Sequence, residues 1–275
     1  MKLTLGYSPC PNDTFIFDAM VHGKIDTESL EFEVQLADVE ELNRKAFNAE
    51  LDITKLSYHA YAHLTEKYIL LRSGSALGNN CGPMLVASSE IQKEKVDALK
   101  IAIPGKYTTA NFLLSYAFPK AQNKVEILFS EIEAAVLNRK VDLGVIIHEN
   151  RFTYFERGLH KVMDLGEHWE KTTGLPIPLG GIVARRGFDK ELLQKINRVL
   201  RRSLEYAFAN PDSSRDYVCA HAQEMSYEVM QQHIQLYVNQ YSLDLGEKGI
   251  AAVENMFDAL KAQIGQFHYP IIMEH

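Results

Sequence analysis

The chain has 275 residues, 46% hydrophobic and 24% charged, and its 29 basic against 36 acidic side chains leave a formal charge of −7. That composition excludes a disordered or fibrous protein and predicts one large or two modest domains; with lysine and arginine scattered, it offers no basic stripe to a nucleic-acid backbone. No apolar run approaches the roughly 20 residues that cross a bilayer, and Pro9, Pro11, Asn12 and Asp13 break up any secretory signal at the N-terminus. The expected setting is cytoplasmic, with no nucleic acid, no membrane and no obligate protein partner. Cys10, Cys81 and Cys219 are spaced for neither a disulfide framework nor a zinc ribbon.

In chain order, strands are expected at 2–7, 31–36, 52–56 and 68–71, all short and rich in branched or aromatic residues. Helical stretches fall between them at 13–22, closed by Gly23, at 39–48, which is amphipathic, and at 58–64. A Gly- and Asn-rich stretch at 74–82 leads to a strand at 84–87 and a charged connector at 90–97, of the kind that crosses between domains. The alternation then restarts: strand 100–103, helix 108–118, strand 125–129, helix 131–140 introduced by a Ser130/Glu133 capping box, and strand 142–147. Residues 181–184 read as a return across the junction. From Asp189 the pattern is helical, at 190–209, 213–223, 227–241 and 248–263.

Such alternation calls for parallel sheets with helices on both faces. Two βαβ units with a double crossing and a helical C-terminal tail predict an α/β protein of two lobes, each a mainly parallel sheet flanked by helices, as in the type II periplasmic-binding-protein fold. The expected division is a larger lobe, 1–96 plus 187–275, and a smaller lobe, 97–186, with an active-site cleft between them.

In open α/β lobes ligands collect at the carboxyl ends of strands, where helix N-termini present N–H groups and partial positive charge. Two loops fit. One runs Thr54-Lys55-Leu56-Ser57-Tyr58-His59, with Ser57 as the expected helix cap; the other runs Pro104-Gly105-Lys106-Tyr107-Thr108-Thr109-Ala110. Facing each other they would clamp a carboxylate; alternatively, Ser57 and Thr108 are ordinary caps worth roughly 1 kcal/mol each. His148 follows the apolar strand at 142–147, beside Glu149, Asn150 and Arg151. A histidine there serves either as a general base at neutral pH or as a strand-end hydrogen-bonding residue. Phe152 stands where a zinc-protease motif would need its second histidine. His59 and His63 have metal-ligand spacing but no third ligand nearby, and no nucleotide fingerprint is present.

Several strings together are more specific than any single motif: Gly6-Tyr7-Ser8-Pro9-Cys10-Pro11-Asn12-Asp13-Thr14-Phe15, then Lys55-Leu56-Ser57-Tyr58-His59-Ala60, Thr108-Thr109-Ala110, and His148-Glu149 with Thr153-Tyr154. On these the chain resembles the 1,4-dihydroxy-6-naphthoate synthases of the futalosine route to menaquinone, from the first strand to the helical tail. The resemblance implies a cytosolic lyase acting on a small carboxylate, cyclic dehypoxanthinylfutalosine, and releasing a sugar-derived fragment beside the naphthoate. It implies His148 as the base and places substrate contacts on Lys55, Leu56 and Ser57 and on Thr108 and Thr109, with neither metal nor redox cofactor. Two alternatives share the scaffold: the chorismate dehydratase of the same pathway and a non-catalytic small-anion-binding module, an exported form of which should carry a signal or lipid anchor.

Overall fold

The chain opens with β1 (Lys2–Tyr7), whose alternating burial sets Leu3 and Leu5 into a core, and Pro11 then starts α1 (Pro11–Val21) at the helix position where a missing N–H costs nothing. In the computed structural model, which describes residues 1–148, 150–222 and 226–274, the chain continues through β2 (Glu31–Leu36), α2 (Val39–Phe47), β3 (Ile53–Ser57), α3 (Tyr58–Ala62), β4 (Tyr68–Leu70) and β5 (Ala76–Gly78). Asp38 caps α2 by accepting from the Glu40 amide at 2.8 Å.

The chain then builds a second unit. Its elements are β6 (Met84–Ala87), a 3-10 turn (Lys93–Ala98), β7 (Ile101–Ile103), α4 (Thr109–Ala117), β8 (Lys124–Glu126), a second 3-10 turn (Phe129–Glu131), α5 (Ile132–Leu137), β9 (Leu143–Ile146), α6 (Asn150–Thr153), β10 (His160–Asp164) and α7 (Leu165–Thr173). Gly174, at φ 70°, closes α7 in the left-handed conformation that favours glycine. Then β11 (Ile177–Arg185) returns to the first sheet. Helices α8 (Lys190–Ala209), α9 (Arg215–His221), α10 (Tyr227–Tyr237), α11 (Gln240–Leu243) and α12 (Gly246–Ile264) complete the chain.

The two compact units are Met1–Gly78 with Pro178–His275, and Asn79–Ile177. The first holds a sheet of order β2-β1-β3-β11-β4, with β5 paired to β11; the second holds a sheet of order β10-β6-β9-β7-β8. In the first core, Leu5, Phe17 and Ile182 pack with Val199 and Leu204 of α8; in the second, Val86 and Ala102 pack with Ile132 and Val136 of α5.

Five expectations need correction. The division falls at 78/79 and 177/178 rather than 96/97 and 186/187, because β6 pairs with β9 and β10 in the second sheet while β11 pairs with β3 and β4 in the first. The charged connector at 90–97 therefore crosses nothing, and its 3-10 turn lies wholly inside the second unit. Parallel pairing holds for β1 with β2 and β3 and for β7 with β8 and β9, but the strands next to each crossing, β6 and β11, run antiparallel to their neighbours. The Ser130/Glu133 capping box does not form: residues 129–131 make a 3-10 turn, and the buried Glu133 carboxylate pairs instead with Arg157 at 2.5 Å. The helix expected at 227–241 is also interrupted, where Asn239 caps the separate α11. The segments β5, α6, β10 and α7 carry no expectation from the sequence.

Candidate active site

In the second unit three parallel neighbours, β9, β7 and β8, end at one edge of the sheet, so the loops that follow them leave from the same side. The loop after β7 brings Thr108 and Thr109 to the start of α4. Both are buried. The Thr108 hydroxyl donates to the Gly105 carbonyl at 2.8 Å and accepts from the Asn111 amide at 3.2 Å, so the cap reading of this residue holds whatever else it touches. With Thr108 closing the first turn from outside, the partially positive end of α4 lies at the loop's exit.

The loop after β9 carries His148, half-buried, with φ 57°. A non-glycine residue in this region costs of order 1–3 kcal/mol and persists only where surrounding structure enforces it. The enforcement is visible. The His148 ring stands edge-on to Phe129, which follows β8, at 4.9 Å between centroids. Three residues on, the Arg151 guanidinium donates to the Gly82 carbonyl and lies 3.6 Å from Asp164, and further on Arg157 holds Glu133. The segment that follows His148 is thus fastened to the rest of the second unit. Glu149, its sequence neighbour, lies outside the described residues. Cys81 is buried, and burial pushes its thiol up to about 12, which removes it as a thiolate nucleophile at neutral pH.

In the first unit, the carboxyl ends of the parallel neighbours β1 and β3 lead through the 8–10 loop into α1 and directly into α3. Lys55, Leu56 and Ser57 lie on β3 and are all buried. Ser57 stands at the N-cap position of α3 but makes no side-chain cap bond, contrary to expectation. Asn43 on α2 claims it instead, accepting from the Ser57 amide at 3.0 Å and donating to its hydroxyl at 3.3 Å. Leu56 is wholly enclosed, backbone included, with Gly181 of β11 as its sheet partner, so it offers no exposed surface to a ligand. Lys55 donates from Nζ to Asp13 Oδ1 at 2.6 Å, an ion pair in which both side chains are more than nine-tenths buried.

The two sets of residues are each gathered within their own unit: Lys55, Leu56 and Ser57 in the first, Thr108, Thr109 and His148 in the second. The sequence left Phe129, Asn43 and Asp13 without roles. The signal for Asp13 was present, since it sits in the Ser8-to-Phe15 string that carries the resemblance. Phe129 and Asn43 gave none. His59 and His63 lie near each other at 5.5 Å between ring centroids, and among the described residues no group of three His, Cys, Asp or Glu side chains converges on a metal position.

Comparison with solved structures places this architecture among the periplasmic-binding-protein folds. The alkanesulfonate-binding protein SsuA from Xanthomonas axonopodis pv. citri superposes with a TM-score of 0.70 over 99% of this chain and 94% of that one, at 12% identity. Closer in sequence, the crystal structure of protein AF1704 from Archaeoglobus fulgidus matches with a TM-score of 0.90 and 40% identity, covering 95% of this chain and 97% of that one. The chain belongs to the menaquinone biosynthesis family, whose model matches residues 3–262. Within it, the 1,4-dihydroxy-6-naphtoate synthase of Thermus thermophilus is 48% identical over 261 residues, 95% of this chain and 94% of that protein.

Proposed function

We propose that the chain is a cytosolic carbon–carbon lyase that converts cyclic dehypoxanthinylfutalosine to 1,4-dihydroxy-6-naphthoate. His148 acts as the general base, removing a proton from the substrate. The bond to the sugar remnant then breaks, its electrons complete the ring system, and aromatisation drives the step forward. In the first unit Lys55 and Ser57 bind the substrate's carboxylate; in the second the start of α4 at Thr108 and Thr109 supplies N–H and hydroxyl donors to the substrate. The observation that carries this reading is the left-handed His148 turn at the carboxyl edge of the second sheet, with the imidazole packed edge-on to Phe129.

The test is direct. Purified protein incubated with cyclic dehypoxanthinylfutalosine should yield 1,4-dihydroxy-6-naphthoate, identified by mass and chromatography. Recovery of the compound unchanged overturns the reading in favour of an anion-binding module.

A further inference from the structure

The Lys55–Asp13 pair sits inside a larger buried network whose members other than Lys55 have no part in the proposed chemistry. Asp13 is 1% exposed and accepts four hydrogen bonds: from the Ser8 amide and hydroxyl at 3.1 and 2.7 Å on Oδ2, and from Asn12 Nδ2 and Lys55 Nζ at 2.8 and 2.6 Å on Oδ1. Because the carboxylate demands a donor from Asn12, the amide of Asn12 is oriented with its oxygen away from Asp13. That oxygen meets Nε2 of His233, on α10, at 2.9 Å, so His233 must carry its proton on Nε2. Ser8, Asn12, Asp13, Lys55 and His233 are all buried. The stem of Lys55 runs beside Gly180 of β11, where an added Cβ would stand 3.1 Å from Lys55 Cε and 2.8 Å from the Leu56 carbonyl oxygen.

A buried ion pair is a poor way to stabilise a fold, since a well-packed apolar pair of similar volume does as well or better. A carboxylate saturated by four donors is, however, a good way to hold one ammonium in a fixed place. It occupies one of the three Lys55 N–H donors and leaves the other two, while the pair as a whole is neutral. Resting on the function proposed above, we infer that Asp13, braced by Ser8 and by Asn12 with His233, is a positioning residue that fixes the Lys55 ammonium for the anionic group of the substrate.

Three variants test this: Asp13→Asn, Lys55→Met, and the two combined. Each single variant leaves one buried charge without its partner and should lower Tm; the double variant removes both charges and should recover Tm to within a few degrees of wild type. Stability and binding then separate. If Asp13 acts through Lys55, KM for cyclic dehypoxanthinylfutalosine rises at least tenfold in the double variant with kcat changed less than threefold, and the double is no worse than Lys55→Met alone. A double variant that regains wild-type KM together with wild-type Tm overturns the inference, because the pair is then structural only. The double variant also keeps the test decisive should Asp13→Asn fail to fold. Titration of succinate by calorimetry reads the same site without turnover: it should bind wild type and bind the double variant at least tenfold more weakly. Equal binding to both, or none to wild type, overturns the role of Asp13. Succinate binding of the expected pattern without naphthoate production overturns the function and leaves the positioning role standing.

Discussion

His148 is the residue on which local geometry and chemistry meet most closely. Its left-handed backbone conformation is one that asparagine, among the non-glycine residues, adopts more readily than most. We therefore predict that His148→Asn folds with an unchanged or slightly raised Tm while turnover falls roughly 10² to 10⁴-fold. Near-wild-type turnover by that variant would remove His148 as the base. Thr108 is a different case, since its hydroxyl both donates to Gly105 and caps α4. Thr108→Val should lose about 1 kcal/mol of stability in urea unfolding, and Thr108→Ser should lose much less. If valine leaves the urea midpoint in place, the cap contributes nothing measurable.

At the scale of elements, the contact between β3 and β11 is close enough to exclude a methyl group. Gly180→Ala would press a Cβ against the Leu56 carbonyl and the Lys55 stem, and we predict a loss of about 1–3 kcal/mol. Gly187→Ala, where nothing lies within 4 Å, is the control and should be near neutral. Helix α5 supplies a pH-dependent case. Burial pushes the Glu133 carboxyl above its ordinary value of 4.5, although Arg157 and Asn150 pull it back. An acid raised in the folded state binds its proton more readily folded than unfolded, so this group costs the fold stability as pH rises through and above its ordinary value. Urea midpoints measured from pH 4 to 7 should therefore show a component of decline in the wild type that is absent from Glu133→Gln. Parallel curves for the two proteins would show that the Arg157 pair cancels the cost of burial.

At the scale of the whole molecule, the second unit is one continuous stretch of chain and the first is two. The residues of the second core all lie within Asn79–Ile177, and so does Trp169, which is fully buried against Phe112 and Tyr116 with its indole N–H donating to the Pro176 carbonyl at 3.2 Å. In the first sheet β11 lies between β3 and β4, so residues 1–78 without the later segment leave β4 with no neighbouring strand. We predict that residues 79–177 expressed alone give a cooperative thermal transition by near-ultraviolet circular dichroism and that residues 1–78 alone give none. A featureless melt of the 79–177 fragment would mean that its core is not self-sufficient. The C-terminal residues belong to the first unit in the same non-local way: the Leu70 amide donates to the Ile271 carbonyl, the Leu70 carbonyl accepts from the Met273 amide, and Arg186 donates to the carbonyls of Thr65, His268 and Pro270.

The amino-acid sequence by itself determined those elements whose signals are local. Alternation over six residues sufficed for β1 and β2, and α8 runs from the Asp189 cap to the stop at Asn210-Pro211, as its periodicity and end signals require. The strand ends that offer Thr108, Thr109 and His148 were legible for the same reason. What only the tertiary structure decided was everything set by a partner far along the chain. An apolar run such as Met84–Ala87 reads the same in either direction, so nothing in it told that β6 would run antiparallel to β9 and belong to the second sheet. Ser130 and Glu133 had the spacing of a capping box, but Arg157 offered the carboxylate a stronger, charge-assisted bond. Lys55 looks in sequence like any lysine beside a strand end. Its meaning came from Asp13, 42 residues earlier, and from a histidine in the helical tail, because the energy of a buried charge depends on which groups folding brings within 3 Å of it.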